Sequence, residues 1–168
     1  GNPVYDWRYM KSTGYDWWIK RLRTSFKIYD IVRIDHFRGF EAFYCIKYGE
    51  KTAKNGKWRR GPDIGFWNEV KRQLGDLPVI AEDLGFLTEK VHKLLEKSGF
   101  PGMKVLQFAF DSREDNNYLP HNYNKNCVVY TGTHDNDTIN GWLETVDEKD
   151  LEFAKKYLHT KNNNIREE

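Results

Sequence analysis

The chain is poor in residues that staple or punctuate a fold: it has two cysteines and five prolines among 168 residues, and no apolar run long enough to cross a bilayer. Cys45 and Cys127 stand alone in apolar, strand-like surroundings and match no metal-ligand spacing. That excludes a disulfide framework or a zinc module and implies buried thiols in a reducing cytoplasm. No secretory signal pattern is visible, so a cytoplasmic setting without a membrane partner is expected. An excess of one charge is missing too. Lysine plus arginine number 27 against 25 for aspartate plus glutamate, with both signs interleaved, which argues against a nucleic-acid stripe or an acidic tail.

Aromatic residues, by contrast, are abundant: they make up 15% of the chain, with six tryptophans, ten tyrosines and ten phenylalanines. Such rings either fill a core or stack on sugar rings, and composition leaves both readings open.

The most informative pattern is a repeated one. Apolar, β-branched runs end in Ile34-Asp35-His36, in Ala81-Glu82-Asp83 and in Thr133-His134-Asp135-Asn136-Asp137. Between them the apolar spacing alternates in kind. A helix is expected over Tyr15 to Ser25, then a strand from Tyr29 to Ile34 and a polar loop from Lys47 to Pro62. A helix capped by Asp63 and ended by Gly75 precedes a strand from Val79 to Ala81. Another helix runs from Thr88 to Gly99, with strands expected from Met103 to Phe110 and from Cys127 to Tyr130, and helices after Asp135 and Asp147.

Strands alternating with amphipathic helices imply an α/β fold whose ligands bind at the carboxyl ends of parallel strands, where all three acidic motifs lie. The carboxylates fall on strands n, n+1 and n+3. Neighbouring strands are about 4.8 Å apart, so Asp35 and Glu82 are expected near the roughly 5–5.5 Å that suits a nucleophile and acid/base pair. The architecture expected is part of a (β/α)8 barrel, about four parallel strands with flanking helices. The opening Gly1-Asn2-Pro3-Val4-Tyr5-Asp6-Trp7 reads as a loop inside a fold, and Lys161 to Glu168 ends on a polar run without another strand. Residues 1–168 are therefore expected to be a fragment of one catalytic barrel domain, with the remainder outside this chain.

Five segments carry a resemblance. They are Arg33-Ile34-Asp35-His36-Phe37-Arg38-Gly39-Phe40, Ala81-Glu82-Asp83-Leu84-Gly85, the stretch Phe100 to Phe110, Leu119-Pro120-His121-Asn122-Tyr123, and Gly132-Thr133-His134-Asp135-Asn136-Asp137-Thr138. In this order they resemble the central segment of the 4-α-glucanotransferases, the amylomaltase or disproportionating-enzyme family of the α-amylase superfamily. The resemblance implies a glycosyltransferase acting on α-1,4-glucans (maltodextrins, and starch or glycogen breakdown products) by a retaining double displacement. It also implies no cofactor and no metal.

By the same resemblance Asp35 is the nucleophile, Glu82 the general acid/base and Asp135 the third carboxylate, which stabilises the oxocarbenium-like transition state. His134 is implied as a hydrogen-bond donor to the sugar. Arg33, two residues before Asp35, is expected on the same strand face and beside its carboxylate. Asp111 and Phe108 are further substrate-contact candidates, and Trp58 a candidate acceptor platform favouring transfer over hydrolysis. Metal-dependent hydrolysis has the ingredients in these motifs. Adjacent strand residues point to opposite faces, however, so each pair offers only one inward group and no histidine cluster forms. Two alternatives remain: a retaining α-glucan hydrolase, or a catalytically incomplete carbohydrate-binding piece whose free sheet edge meets the rest of the barrel or a second copy.

Overall fold

The computed structural model describes residues 2–85, 87–113 and 116–160. The closing polar run read from the sequence, 161–168, lies outside them. The chain divides into two compact units, Gly1–Gly102 and Met103–Glu168.

In the first unit, helix α1 (Trp7–Ser12) starts where the Asp6 side chain accepts the Tyr9 N–H at 3.0 Å. The opening segment expected to be loop is so from residue 2 to Asp6, and the helix takes over at its last residue, Trp7. Helix α2 (Asp16–Ser25) buries Trp18, Ile19 and Leu22. Strand β1 (Val32–Ile34) follows, three residues later than expected. The reason lies in the helix end: the Lys27, Ile28 and Tyr29 N–H groups still donate to Thr24 and Ser25 carbonyls, which holds this stretch in turns and leaves Ile28, Tyr29 and Ile31 exposed.

The segment expected as a polar loop is bounded by a hairpin. Strands β2 (Ala42–Cys45) and β3 (Lys57–Arg60) pair antiparallel with Tyr44 opposite Trp58. All four residues of β3 are exposed, so it shows no alternation of apolar and polar positions from which a strand is recognised. Gly61 closes the hairpin by donating to the Glu41 carbonyl at 2.7 Å, and a Cβ there would overlap the backbone carbonyl of Phe40. Gly61→Ala is expected to cost about 1–3 kcal/mol of stability, read from the urea midpoint of the full-length protein; an unchanged midpoint would disprove this close approach.

Helix α3 (Asp63–Leu74) buries Phe66, Trp67 and Val70 and ends at Gly75, and strand β4 (Val79–Ala81) lies parallel to β1 with Ile34 opposite Ala81. Helix α4 (Glu89–Ser98) buries Val91 and Leu94 and is closed by Gly99 in the left-handed conformation. The core of this unit is largely aromatic. Phe40 stacks on Phe66 at 5.1 Å and meets Trp67 at 4.9 Å, with Tyr15, Trp18 and Phe37 packed around them. Much of the aromatic excess is therefore structural.

Strand β5 (Gly102–Val105) pairs with β6 (Cys127–Tyr130). The strand expected to reach Phe110 stops at Val105, because Leu106–Ala109 form a 3-10 turn. Two tethers fix that turn: the Gln107 N–H reaches the Thr131 carbonyl at 3.3 Å, and its side-chain amide donates to the Asp137 carbonyl at 2.8 Å. Helices α5 (Ile139–Thr145) and α6 (Glu148–Tyr157) complete the second unit, whose small core joins Ala109, Phe110, Leu119 and Ala154. The described residues thus show a mixed α/β chain in which β1 and β4 pair in parallel and β2 and β3 form an antiparallel hairpin. No helix among them is long and apolar enough to cross a membrane.

Candidate active site

Asp35 and Glu82 are the first residues beyond the paired strands β1 and β4, so the parallel register makes them neighbours at the same sheet end. Hydrogen bonding continues past the last strand residues: the Glu82 N–H donates to the Ile34 carbonyl and the Phe37 N–H to the Glu82 carbonyl, both at 2.9 Å. The Glu82 carboxylate is held by two backbone donors. Oε2 accepts the His36 N–H at 2.6 Å and Oε1 the Leu84 N–H at 2.8 Å. Charge-assisted bonds from fixed amides orient such a group more firmly than flexible side chains can. His36 adopts a left-handed conformation with φ of +50°, uncommon for a residue with a Cβ; it turns the chain sharply into a 3-10 segment, Phe37–Phe40.

Asp35 remains largely exposed, and its Oδ1 lies 3.2 Å from Nη2 of Arg33, the i, i+2 contact expected from strand alternation. Asp35 also borders a cavity of about 320 Å³. Five of its eleven lining residues are aromatic, Tyr5, Trp7, Trp18, Phe40 and Phe43, with Arg21 and His36 as polar neighbours. Sequence reasoning missed Tyr5 and Trp7 as site residues. The only signal was the clustering of rings at both ends of a stretch that otherwise reads as loop and helix. Asp83, next to the candidate acid, is buried and turned the other way, its carboxylate oxygens within 2.8 Å of where a Gly102 Cβ would sit.

The other candidates except Trp58 belong to the second unit. Asp135 and His134 are exposed neighbours, with His134 Nε2 3.3 Å from Asp135 Oδ2. Their loop is shaped by Asn136, whose Oδ1 accepts both the backbone N–H and the hydroxyl of Thr133 at 2.9 and 3.0 Å. Gln107 braces the same loop, and a Cβ on Gly132 would lie 2.9 Å from the Gln107 amide nitrogen. Sequence reasoning assigned neither Gln107 nor Asn136 a role; a buried glutamine in an apolar run was the available clue. Asp111 lies beyond the 3-10 turn. Hydrogen bonds from the side chain and then the backbone of Arg113 lower its pKa to about 2, so the carboxylate stays charged and committed to that arginine. Phe108 sits within the turn, 40% exposed, its ring meeting Tyr118 edge-on at 5.4 Å.

Trp58 does not line the Asp35 cavity. It stands on β3 with the Arg38 guanidinium 4.6 Å from its ring centre and Tyr44 edge-on, and it borders a separate cleft. Among the described residues no group of three or more histidine, cysteine, aspartate or glutamate side chains is placed to hold a metal ion.

Paired acidic strand ends on a parallel β-strand pair beside an aromatic cavity are the kind of arrangement that carbohydrate-active enzymes use. The whole chain, residues 1–168, matches the family model described as 4-alpha-glucanotransferase, and the chain belongs to that family. It is 57% identical over 159 residues to a 4-alpha-glucanotransferase of Clostridium butyricum, covering 94% of this chain and 33% of the relative. It is 45% identical over 168 residues to the chloroplastic/amyloplastic 4-alpha-glucanotransferase of Solanum tuberosum, covering 28% of that protein. Among solved structures, the amylomaltase from Streptococcus agalactiae in complex with acarbose superposes with a TM-score of 0.92 at 43% identity, covering 97% of this chain and 33% of that one. The chain thus spans about a third of the length of the relatives it matches.

Proposed function

We propose that this chain carries the catalytic carboxylates of a 4-α-glucanotransferase, within a (β/α)8 barrel domain of which residues 1–168 supply β1, β4, β5 and β6. The pairings β1–β4 and β5–β6 support that reading. Among the described residues the outer edge of β1 is unpaired, and a further barrel strand would dock there, so that the remainder of the barrel is the first partner expected. The free thiols Cys45 and Cys127 suit a cytoplasmic, reducing setting.

One observation carries the function: Asp35 faces an aromatic-walled cavity while the adjacent Glu82 is clamped at the same strand end. A glucose ring placed in that cavity presents its anomeric carbon to Asp35. The carboxylate bonds to that carbon as the glycosidic C–O bond breaks, and Glu82 protonates the departing 4-oxygen. A second glucan then enters. Glu82 removes the proton from its 4-hydroxyl, the oxygen attacks the glucosyl ester and Asp35 leaves, so two inversions preserve the α configuration. Arg33, 3.2 Å from the Asp35 carboxylate, keeps it aimed, and Asp135 and His134 bind sugar hydroxyls and steady the oxocarbenium-like transition state. Each step uses side chains alone and calls on no cofactor or metal. Acarbose bound to the Streptococcus agalactiae relative fits a glucan substrate here.

The test is incubation of the full-length protein with maltotriose. Glucose together with maltopentaose and longer chains is expected. Glucose and maltose without longer products would reassign it as a hydrolase, and no turnover at all would overturn the reading.

A further inference from the structure

The cleft beside the hairpin concentrates charge that the sequence disperses. It encloses about 440 Å³ and draws Trp58, Arg59 and Arg60 from β3 and Lys90, Lys93 and Lys97 from α4. The three lysines, spaced i, i+3 and i+7, share one helix face. Against these five cations the cleft lining carries two carboxylates, Glu41 and Asp63, whereas the entire chain carries a net charge of +2. Asp63 is already engaged by Arg60 at 3.2 Å, and Lys93 by Glu89 at 3.4 Å. Arg59, Lys90 and Lys97 form no ion pair among the described residues.

Like charges gathered in a cleft focus a positive potential that a bound anion relieves. An arginine fork with two lysine point charges matches the oxygens of a phosphoryl group. The cleft also holds the indole of Trp58, 56% exposed, a flat apolar surface of the kind that packs on a sugar ring. Inorganic phosphate would use the cations and leave the ring idle, whereas a phosphorylated sugar uses both. We propose that this cleft binds a phosphorylated glucose unit, its ring against Trp58 and its phosphoryl group among Arg59, Lys90 and Lys97. The ligand is either a free hexose phosphate or a phosphate ester carried on a glucan chain. The cleft shares no lining residue with the Asp35 cavity, so this site stands or falls apart from the transferase reading.

Calorimetric titration of the full-length protein at low salt tests it, with glucose 6-phosphate, inorganic phosphate, glucose and a maltodextrin bearing a 6-phosphate as probes. Glucose 6-phosphate is expected to bind at least about fivefold tighter than inorganic phosphate, glucose not to bind there, and affinity to fall as salt rises. The double variant Lys90→Gln, Lys97→Gln weakens binding by about tenfold and leaves maltotriose disproportionation unchanged, while the control Lys27→Gln, Lys47→Gln, with the same charge change on exposed lysines elsewhere, has no effect on binding. Tighter binding of the phosphorylated maltodextrin identifies a glucan as the source; equal affinity identifies a free sugar phosphate. Absence of saturable binding, equal affinity for phosphate and glucose 6-phosphate, or insensitivity to the double variant would each overturn the proposal.

Discussion

Asp35→Asn is expected to lower turnover of maltotriose by the full-length protein by about 10⁴-fold or more, because an amide oxygen cannot form the glucosyl ester on which both halves of the reaction depend. The fold should be indifferent to the change. The side chain is exposed, and its contact with Arg33 at 3.2 Å is a surface ion pair worth no more than about 1 kcal/mol. Chromatography of the products and a urea midpoint measured on the same sample separate chemistry from stability. A variant keeping a tenth of its activity would place the nucleophile elsewhere, and a large drop in midpoint would make the loss a structural one.

Glu82→Gln is expected to cost about 10²–10⁴-fold on maltotriose, the usual worth of a positioned general acid and base. The loss should shrink in the first half-reaction when the donor is a maltosyl fluoride, whose leaving group needs no proton. Equal losses on both donors would deny Glu82 the acid role. Stability should fall as well, unlike at Asp35. Both carboxylate oxygens accept backbone N–H groups, from His36 and Leu84, and an amide can accept at only one of them. The amide left facing a donor costs about 1–3 kcal/mol, read from the same midpoint.

The parts of this molecule that were legible in the sequence are those governed by local pattern. The apolar runs at Val79–Ala81 and Cys127–Tyr130 are strands to the residue, and the glycine stops at Gly75 and Gly99 end helices as their chemistry dictates. Alternation along a strand was enough to put Arg33 beside Asp35. Nonlocal determinants were not legible. Strand β3 carries Lys57, Trp58, Arg59 and Arg60, which show no buried face, and exists because Tyr44 and its neighbours pair with it from across a loop. The early end of β5 depends on Gln107 finding Thr131 and Asp137, and the ring-lined cavity on α1 and α2 converging with Phe40. The roles of Asp35, Glu82 and Asp135 were likewise read from the family motif rather than from spacing, since nothing local distinguishes Glu82 from the buried Asp83.

The bond from the His36 amide to Glu82 changes what can vary in this protein. Because that amide belongs to the residue immediately after Asp35, the two carboxylates are coupled through a single peptide unit, and the distance between them is not left to the surrounding loops. The segment from Tyr5 to Trp7 and the β2–β3 hairpin can therefore be rebuilt, lengthened or recharged without drawing the two carboxylates apart. The stereochemical outcome would pass through such changes untouched.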